Sequence, residues 1–318
     1  MICLAPLAGI TDMPVREFFS RLGAELTHTE MISCSGLVRD NLKTLRMIKK
    51  SERENNLIIQ FFSHDENILL RGAEVALSHE KNYYALGINM ACPMPKVTKT
   101  GAGAALLRES ERACRMVRNL KILKYPVWVK IRKLENYSET LNFVEKLINA
   151  GADNICIHGR TQAQRYEGIA DREILKLAAQ NFPGYISASG DVRNLDDINE
   201  YLFYGCDPVM IARGAVSNPW IFQEVNNIHV DLKNKIQDIK LLAGRALELY
   251  GEHYAAITIK HFSRGLFYGV NGAAELRNKL CQADNLKYMF EILDNFYNCE
   301  EEQKKCLNIN LKEFARVK

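Results

Sequence analysis

The chain has 318 residues, more than one ordinary globular domain needs and enough for a barrel of roughly 230 to 250 residues with a small appendage. Hydrophobic residues at 47% and charged residues at 25% exclude an intrinsically disordered chain, and no apolar run reaches the roughly 18 to 20 residues of a membrane-spanning helix. The formal charge of +4 permits a polyanionic partner without requiring one.

Met1 leads directly into ICLAPLAG with no basic region or cleavage site, so a cytoplasmic location is expected. Eight short β-rich runs then alternate with helical stretches: ICLAPLAG, ELTHTEMIS, LIIQFFS, ALGINMAC, PVWVKIRK, NICIHGRT, YISASGDV and PVMIARGAV. This order predicts a TIM (β/α)8 barrel, an α/β fold whose near-continuous apolar strands are buried on both faces. An open doubly wound sheet alternates in the same way, but the ICLAPLAGITD turn lacks its glycine-rich fingerprint. Asp12 and Pro14 announce the first helix, and Asn194 announces LDDINEYLFY, which ends at Gly205. Past Trp220 the strand signal stops, and from about Val230 the pattern is helical, so residues 1–230 are read as the barrel and 231–318 as an all-helical C-terminal domain. The tail EEEQKKCLNINLKEFARVK is charged and weakly patterned and is assigned no function. Nine cysteines scattered at 3, 34, 92, 114, 156, 206, 281, 299 and 306, without CxxC spacing, read as reduced thiols, and no metal site is expected.

Barrels of this kind build their sites at the C-terminal ends of the strands. Gln60 closes the third run and offers a neutral amide to a heterocyclic edge. The fourth ends in Asn89, Met90, Ala91, Cys92 and Pro93 and continues into MPKVTKTGAGAALL, which carries Lys96 and Lys99. A lone cysteine at a strand end is more often packing than catalyst, so Cys92 draws its interest from these neighbours. Lys130 and Arg132 close the fifth run, and His158, Arg160 and Thr161 the sixth, giving a cationic rim suited to a phosphate or an anionic ring. Taken singly, Lys130 reads equally well as half of a salt bridge and His158 as a satisfied hydrogen-bonding residue. SASGDV and IARGAV end the last two runs with glycines that admit close backbone approach, and with Arg213 they indicate a phosphorylated cofactor. Flavin mononucleotide (FMN) suits them better than a dinucleotide.

Together these stretches resemble the tRNA-dihydrouridine synthases. The resemblance is carried by LAPLAGITDMPVREF, NMACPMPKVTKTGAGAALL, HGRTQAQRYEG, ASGDV, ARGAVSNPWIF and KHFSRGLFYGVNGAAELRNKLCQ. It implies that Pro6, Leu7 and Ala8 lie beside the isoalloxazine ring of FMN, with Gln60 and Lys130 on its polar edge and His158 assisting. It further implies that Ser189, Gly190, Asp191, Ala212 and Arg213 hold the ribityl chain and phosphate. The sequence departs from the family pattern at Ala91, where glycine commonly precedes the catalytic cysteine, and at Ser189, where asparagine commonly precedes Gly-Asp.

The implied reaction is reduction of uridine to 5,6-dihydrouridine: NADPH or NADH reduces FMN, flavin N5 delivers hydride to uracil C6, and Cys92 protonates C5. Asn89 is expected to orient the uracil, with Lys96 and Arg160 also binding substrate. Because the target base must leave the folded RNA, the helical domain is expected to grip tRNA. Candidate phosphate contacts are Lys99, Arg165, Lys260, His261, Arg264, Arg277 and Lys279; Phe262, Phe267 and Tyr268 are candidate stacking residues, although aromatics at helical spacing are more often core. Ribosomal RNA as substrate, a small-molecule FMN reductase and a degenerate RNA-binding barrel remain alternatives. A monomer is expected, and the uridine position is left open.

Overall fold

The computed structural model describes residues 1–266 and 272–297. Phe267, Tyr268, the side chain of Arg264 and the charged tail lie outside the described residues. Each β-rich run contains one strand: β1 Ile2–Leu4, β2 Leu26–Ser33, β3 Asn56–Phe62, β4 Ala85–Met90, β5 Val127–Arg132, β6 Asn154–His158, β7 Ile186–Ser189 and β8 Val209–Ile211. They form a closed parallel barrel in chain order, sealed where Cys3 of β1 pairs with Met210 of β8. Two compact units are present: Met1–Ala215 with Pro219–Asn226, and Val216–Asn218 with the chain from Asn227 onward.

The period of two along a strand explains why an apolar barrel carries a polar mouth. Cys3, Leu26, Ile58, Ala85, Trp128, Cys156 and Met210 share one buried cluster. Stepping two residues toward the strand ends brings Gln60 after Ile58, Lys130 after Trp128 and His158 after Cys156 onto the same face. Register aligns them across strands: Asn89 opposes Lys130, Arg132 opposes His158, and His158 opposes Ser189.

The helix starts follow local capping chemistry. Asp12 accepts the Val15 N–H at 3.1 Å and caps the helix Met13–Arg21, while Asn194 and Asp197 form a capping box on Leu195–Phe203. Arg16, in the first of these helices, makes a buried ion pair with Glu54, Nε to Oε2 2.7 Å, the two side chains 1% and 0% exposed. Its other nitrogens donate to the carbonyls of Thr11 and Lys49 at 3.1 and 2.8 Å. Thr11 in turn accepts the Leu7 N–H at 3.0 Å, so the pair also steadies the loop after β1. Arg16→Ala leaves Glu54 charged and buried without its partner, and we expect a loss of about 3–5 kcal/mol in barrel stability. The check is the urea midpoint; a shift worth less than about 1 kcal/mol contradicts the role given to the pair.

In the second unit, Ile236, Ile239, Leu242, Ala243 and Ala246 form the buried stripe of the helix Leu232–Tyr250. Phe262, on the helix Glu252–Leu266, is 1% exposed. Of the two readings open to it, core packing is the one the burial supports, and it offers no face for stacking on RNA bases. His261 and Lys279 are exposed and Lys260 and Arg277 half-buried, with Lys279 also paired to Glu275 at 2.7 Å. No helix of the described residues is long and apolar enough to cross a membrane.

Candidate active site

Cys92 sits half-buried just past β4, in a loop held from three sides. Asn89 Oδ1 accepts the backbone N–H of Ala91 at 3.1 Å and of Cys92 at 2.9 Å. The Cys92 carbonyl accepts the Ala104 N–H at 3.0 Å, and the Ala91 carbonyl accepts Arg132 Nε at 2.7 Å. Gly103, with φ +61°, lies so close that a Cβ there would stand 2.8 Å from the Cys92 carbonyl oxygen, which is why GAG follows the thiol loop. Asn89 Nδ2 donates to Gln60 Oε1 at 2.9 Å. The amide expected to orient a substrate is thus already spent on building the loop, leaving one Asn89 N–H and the Gln60 Nε2 for a ligand.

Arg132 is the residue whose role the sequence understated. It is 2% exposed and donates from Nη1 to the carbonyls of Thr161 and Arg165 at 3.0 and 2.7 Å, so it splints the thiol loop to the loop after β6. Burial lowers its pKa from the ordinary guanidinium value, and no carboxylate among the described residues pairs with it. Tyr166 lies under two guanidinium groups, Arg132 at 5.5 Å and Arg213 at 5.4 Å from its ring centre. Lys130, its neighbour two residues back, also has no carboxylate partner among the described residues; its Nζ stands 3.8 Å from Cys156 Sγ.

Around β7 and β8 the centre of the arrangement is Asp191. Arg160 grips it at 3.0 and 2.6 Å, with Arg213 at 3.2 Å and Arg193 at 3.7 Å. Arg160 is 1% exposed and also donates to the carbonyls of Glu167 and Gly168. Arg160, expected to bind substrate, is in this structure bonded to Asp191 and the 167–168 turn and orders both. Arg213 is largely exposed and keeps donors free, and one carboxylate against three guanidinium groups leaves a positive rim. Gly190, at φ +117°, has no room for a Cβ, which would meet His158 Cδ2 at 2.7 Å. Ser189 is buried beside it, and Ala212 accepts the Ala215 N–H at 3.0 Å. Next to β8, in the loop after β1, Pro6 and Leu7 are half-buried and Ala8 exposed, and the following Gly9 N–H donates to Glu30 at 2.5 Å. Lys96 is exposed on the helix Pro95–Thr98, with no ion-pair partner among the described residues. The groups brought together at the mouth are therefore Cys92, Asn89, Gln60, Lys130 and His158, with Ser189, Asp191 and Arg213 on one side.

Two interior histidines are held neutral. Burial, reinforced by Lys130, Arg132 and Arg160, lowers the pKa of His158 to about 2; burial with Lys130 lowers that of His28 to about 4, against its bond to the Leu4 carbonyl at 2.8 Å. Both groups bind a proton more readily unfolded than folded, so stability is complete above pH 6.5 and falls as pH drops from there toward 4. Unfolding between pH 6 and 4.5 should take up close to two protons, read from the urea midpoint against pH. A midpoint constant over that window contradicts the neutral burial of both rings.

Comparison with known proteins gives one consistent result. The family model described as "Dihydrouridine synthase (Dus)" matches residues 3–311. A probable tRNA-dihydrouridine synthase of Treponema pallidum is 34% identical over 71% of this chain and 70% of its own length. One from Aquifex aeolicus is 32% identical over 92% and 95%, and tRNA-dihydrouridine synthase B of Shewanella oneidensis is 26% identical over 93% and 95%.

Proposed function

The chain belongs to the dihydrouridine synthase family, and from that membership and the barrel-mouth geometry we propose that it reduces uridine to 5,6-dihydrouridine in tRNA, with FMN and NADPH or NADH. The observation that carries this reading is the Cys92 thiol, fixed by Asn89, Arg132 and Ala104 beside a mouth that holds an uncompensated lysine and a neutral histidine.

The donor set suits FMN. Lys130, lacking a carboxylate, and the free Gln60 Nε2 match the electron-rich edge of the isoalloxazine, and neutral His158 hydrogen-bonds without adding charge. Arg213 at the positive rim around Asp191 matches the phosphate. Held by these residues and reduced by NADPH or NADH, FMN would supply the hydride for uracil C6. Cys92 delivers its thiol proton to C5, and the thiolate left behind recovers a proton from solvent. Asn89 fixes the height of that thiol through two backbone N–H groups, and its remaining N–H reaches for the uracil edge. Such a reaction belongs in the cytoplasm, where tRNA is handled.

Arg132 acts through the loop as a positioning residue. Arg132→Gln releases the Ala91 carbonyl, and we expect kcat to fall about 10²-fold with flavin still bound, since a displacement of about 1 Å costs that much. Arg132→Lys, which keeps one donor, should recover part of the loss, and the rate of Cys92 alkylation should change in parallel. Unaltered kcat in Arg132→Gln contradicts the role. The proposed function itself is tested first by its cofactor: the purified protein, denatured, should release FMN identified by mass. Protein that neither carries nor binds FMN refutes the reading.

A further inference from the structure

A cavity of about 420 Å³ opens beside the thiol loop, and of its lining only Arg165 has so far been given a ligand, as a candidate phosphate contact. We propose that it receives the nucleotide adjacent to the reduced uridine in the RNA strand, its base over Pro93, Pro95, Leu107 and Leu134 and its phosphate against Arg108 and Arg165. The inference rests on the uridine-reduction reading and extends it to a neighbouring subsite.

Chain continuity comes first. A base turned out of the RNA into the barrel mouth carries its neighbours to the rim, and the cavity begins at Pro93, the residue bonded to Cys92. The lining then divides by chemistry. Two prolines and two leucines make the apolar part of the lining, against which a nucleobase can pack. Arg108 and Arg165 are exposed, and neither has an ion-pair partner among the described residues. The remaining cation in the lining, Lys133, is already paired with Asp171 at 2.7 Å. Two cations are thus available for a phosphate, and Glu135 and Glu139 on the same rim, which have no ion-pair partner among the described residues, can accept from an exocyclic amino group.

Arg165 supplies a second, independent observation. Its φ is +50°, a left-handed conformation uncommon for a non-glycine residue, and its carbonyl is clamped by the buried Arg132 at 2.7 Å. The same guanidinium holds the Ala91 carbonyl, so the placement of Arg165 and of the thiol loop is set by one side chain.

The test uses flavin-loaded protein and unmodified tRNA. The Arg108→Gln/Arg165→Gln double variant should bind tRNA about 10- to 100-fold more weakly, with the slope of log affinity against log salt shallower by about 1 to 2. Flavin content, KM for NADPH and the rate at saturating tRNA should stay within about twofold of the parent, in line with a contact that positions but does not react. Leu134→Trp, which fills the floor without touching a charge, should also raise KM for tRNA. A raised KM for NADPH with unaltered tRNA binding gives the cavity to the adenosine half of the dinucleotide and overturns the proposal. Unaltered binding of both overturns it as well. Because tRNA binding is read without turnover, absence of dihydrouridine from the parent enzyme would refute the uridine reading separately, leaving the subsite to be decided by the binding arms.

Discussion

Cys92→Ala should keep its flavin and its affinity for tRNA while dihydrouridine formation falls by about 10²- to 10⁴-fold, the range a positioned general acid contributes. The expectation follows from how little else at the mouth can donate a proton. Burial, reinforced by the cations around it, holds His158 neutral, and Lys130 and Arg132 are positioned as hydrogen-bond donors and charges. The loop owes its shape to backbone bonds with Asn89, Ala104 and Arg132, none of which uses the thiol, so alanine leaves it standing. Cys92→Ser, with a hydroxyl in place of the thiol, should stay close to the alanine variant. Product analysis at saturating tRNA decides it: a rate within about threefold of the parent removes Cys92 from the chemistry.

Lys130→Met should weaken FMN binding about 10- to 100-fold, the equivalent of the ~1.5–3 kcal/mol of a hydrogen bond to a charged group. Lys130 is a cation with no carboxylate partner among the described residues, in register with Asn89 on β4 and Cys156 on β6. Methionine keeps the apolar stem and removes the charge. Since Lys130 contributes to the lowered pKa of both His28 and His158, the variant should also let both rings titrate at higher pH, although burial remains the larger cause. Flavin titration and histidine NMR therefore report on the same substitution independently. Unchanged FMN affinity would place the polar edge of the cofactor elsewhere.

The barrel was legible because each strand run is short, apolar and closed by chemically distinct residues, and because eight such runs alternate with helical stretches. The mouth was legible in part. Lys130 and His158 announce themselves as polar residues at the ends of apolar strands, and period two carries them inward. The functions of Asn89, Arg132 and Arg160 were not legible, since each is decided by long-range partners: Gln60 is 29 residues from Asn89, the Ala91 carbonyl 41 from Arg132, and Asp191 31 from Arg160. A charged residue at a strand end reads as a ligand contact until the structure reveals carbonyls or a carboxylate that already satisfy it. Arg160 shows this most plainly, since its guanidinium is already taken up by Asp191. Tyr166 stood in plain view within RYEG, but its stacking under Arg132 and Arg213 joins the loop after β6 to the end of β5 and to the segment after β8.

The most direct test of the central claim is to incubate flavin-loaded protein and NADPH with unmodified total RNA from its own source and map dihydrouridine by mass spectrometry. The account predicts dihydrouridine at one or a few defined tRNA positions, absent when Cys92→Ala replaces the parent. Product in ribosomal RNA alone would keep the chemistry and contradict the substrate, and no product from protein with bound flavin and competent RNA would contradict the claim outright.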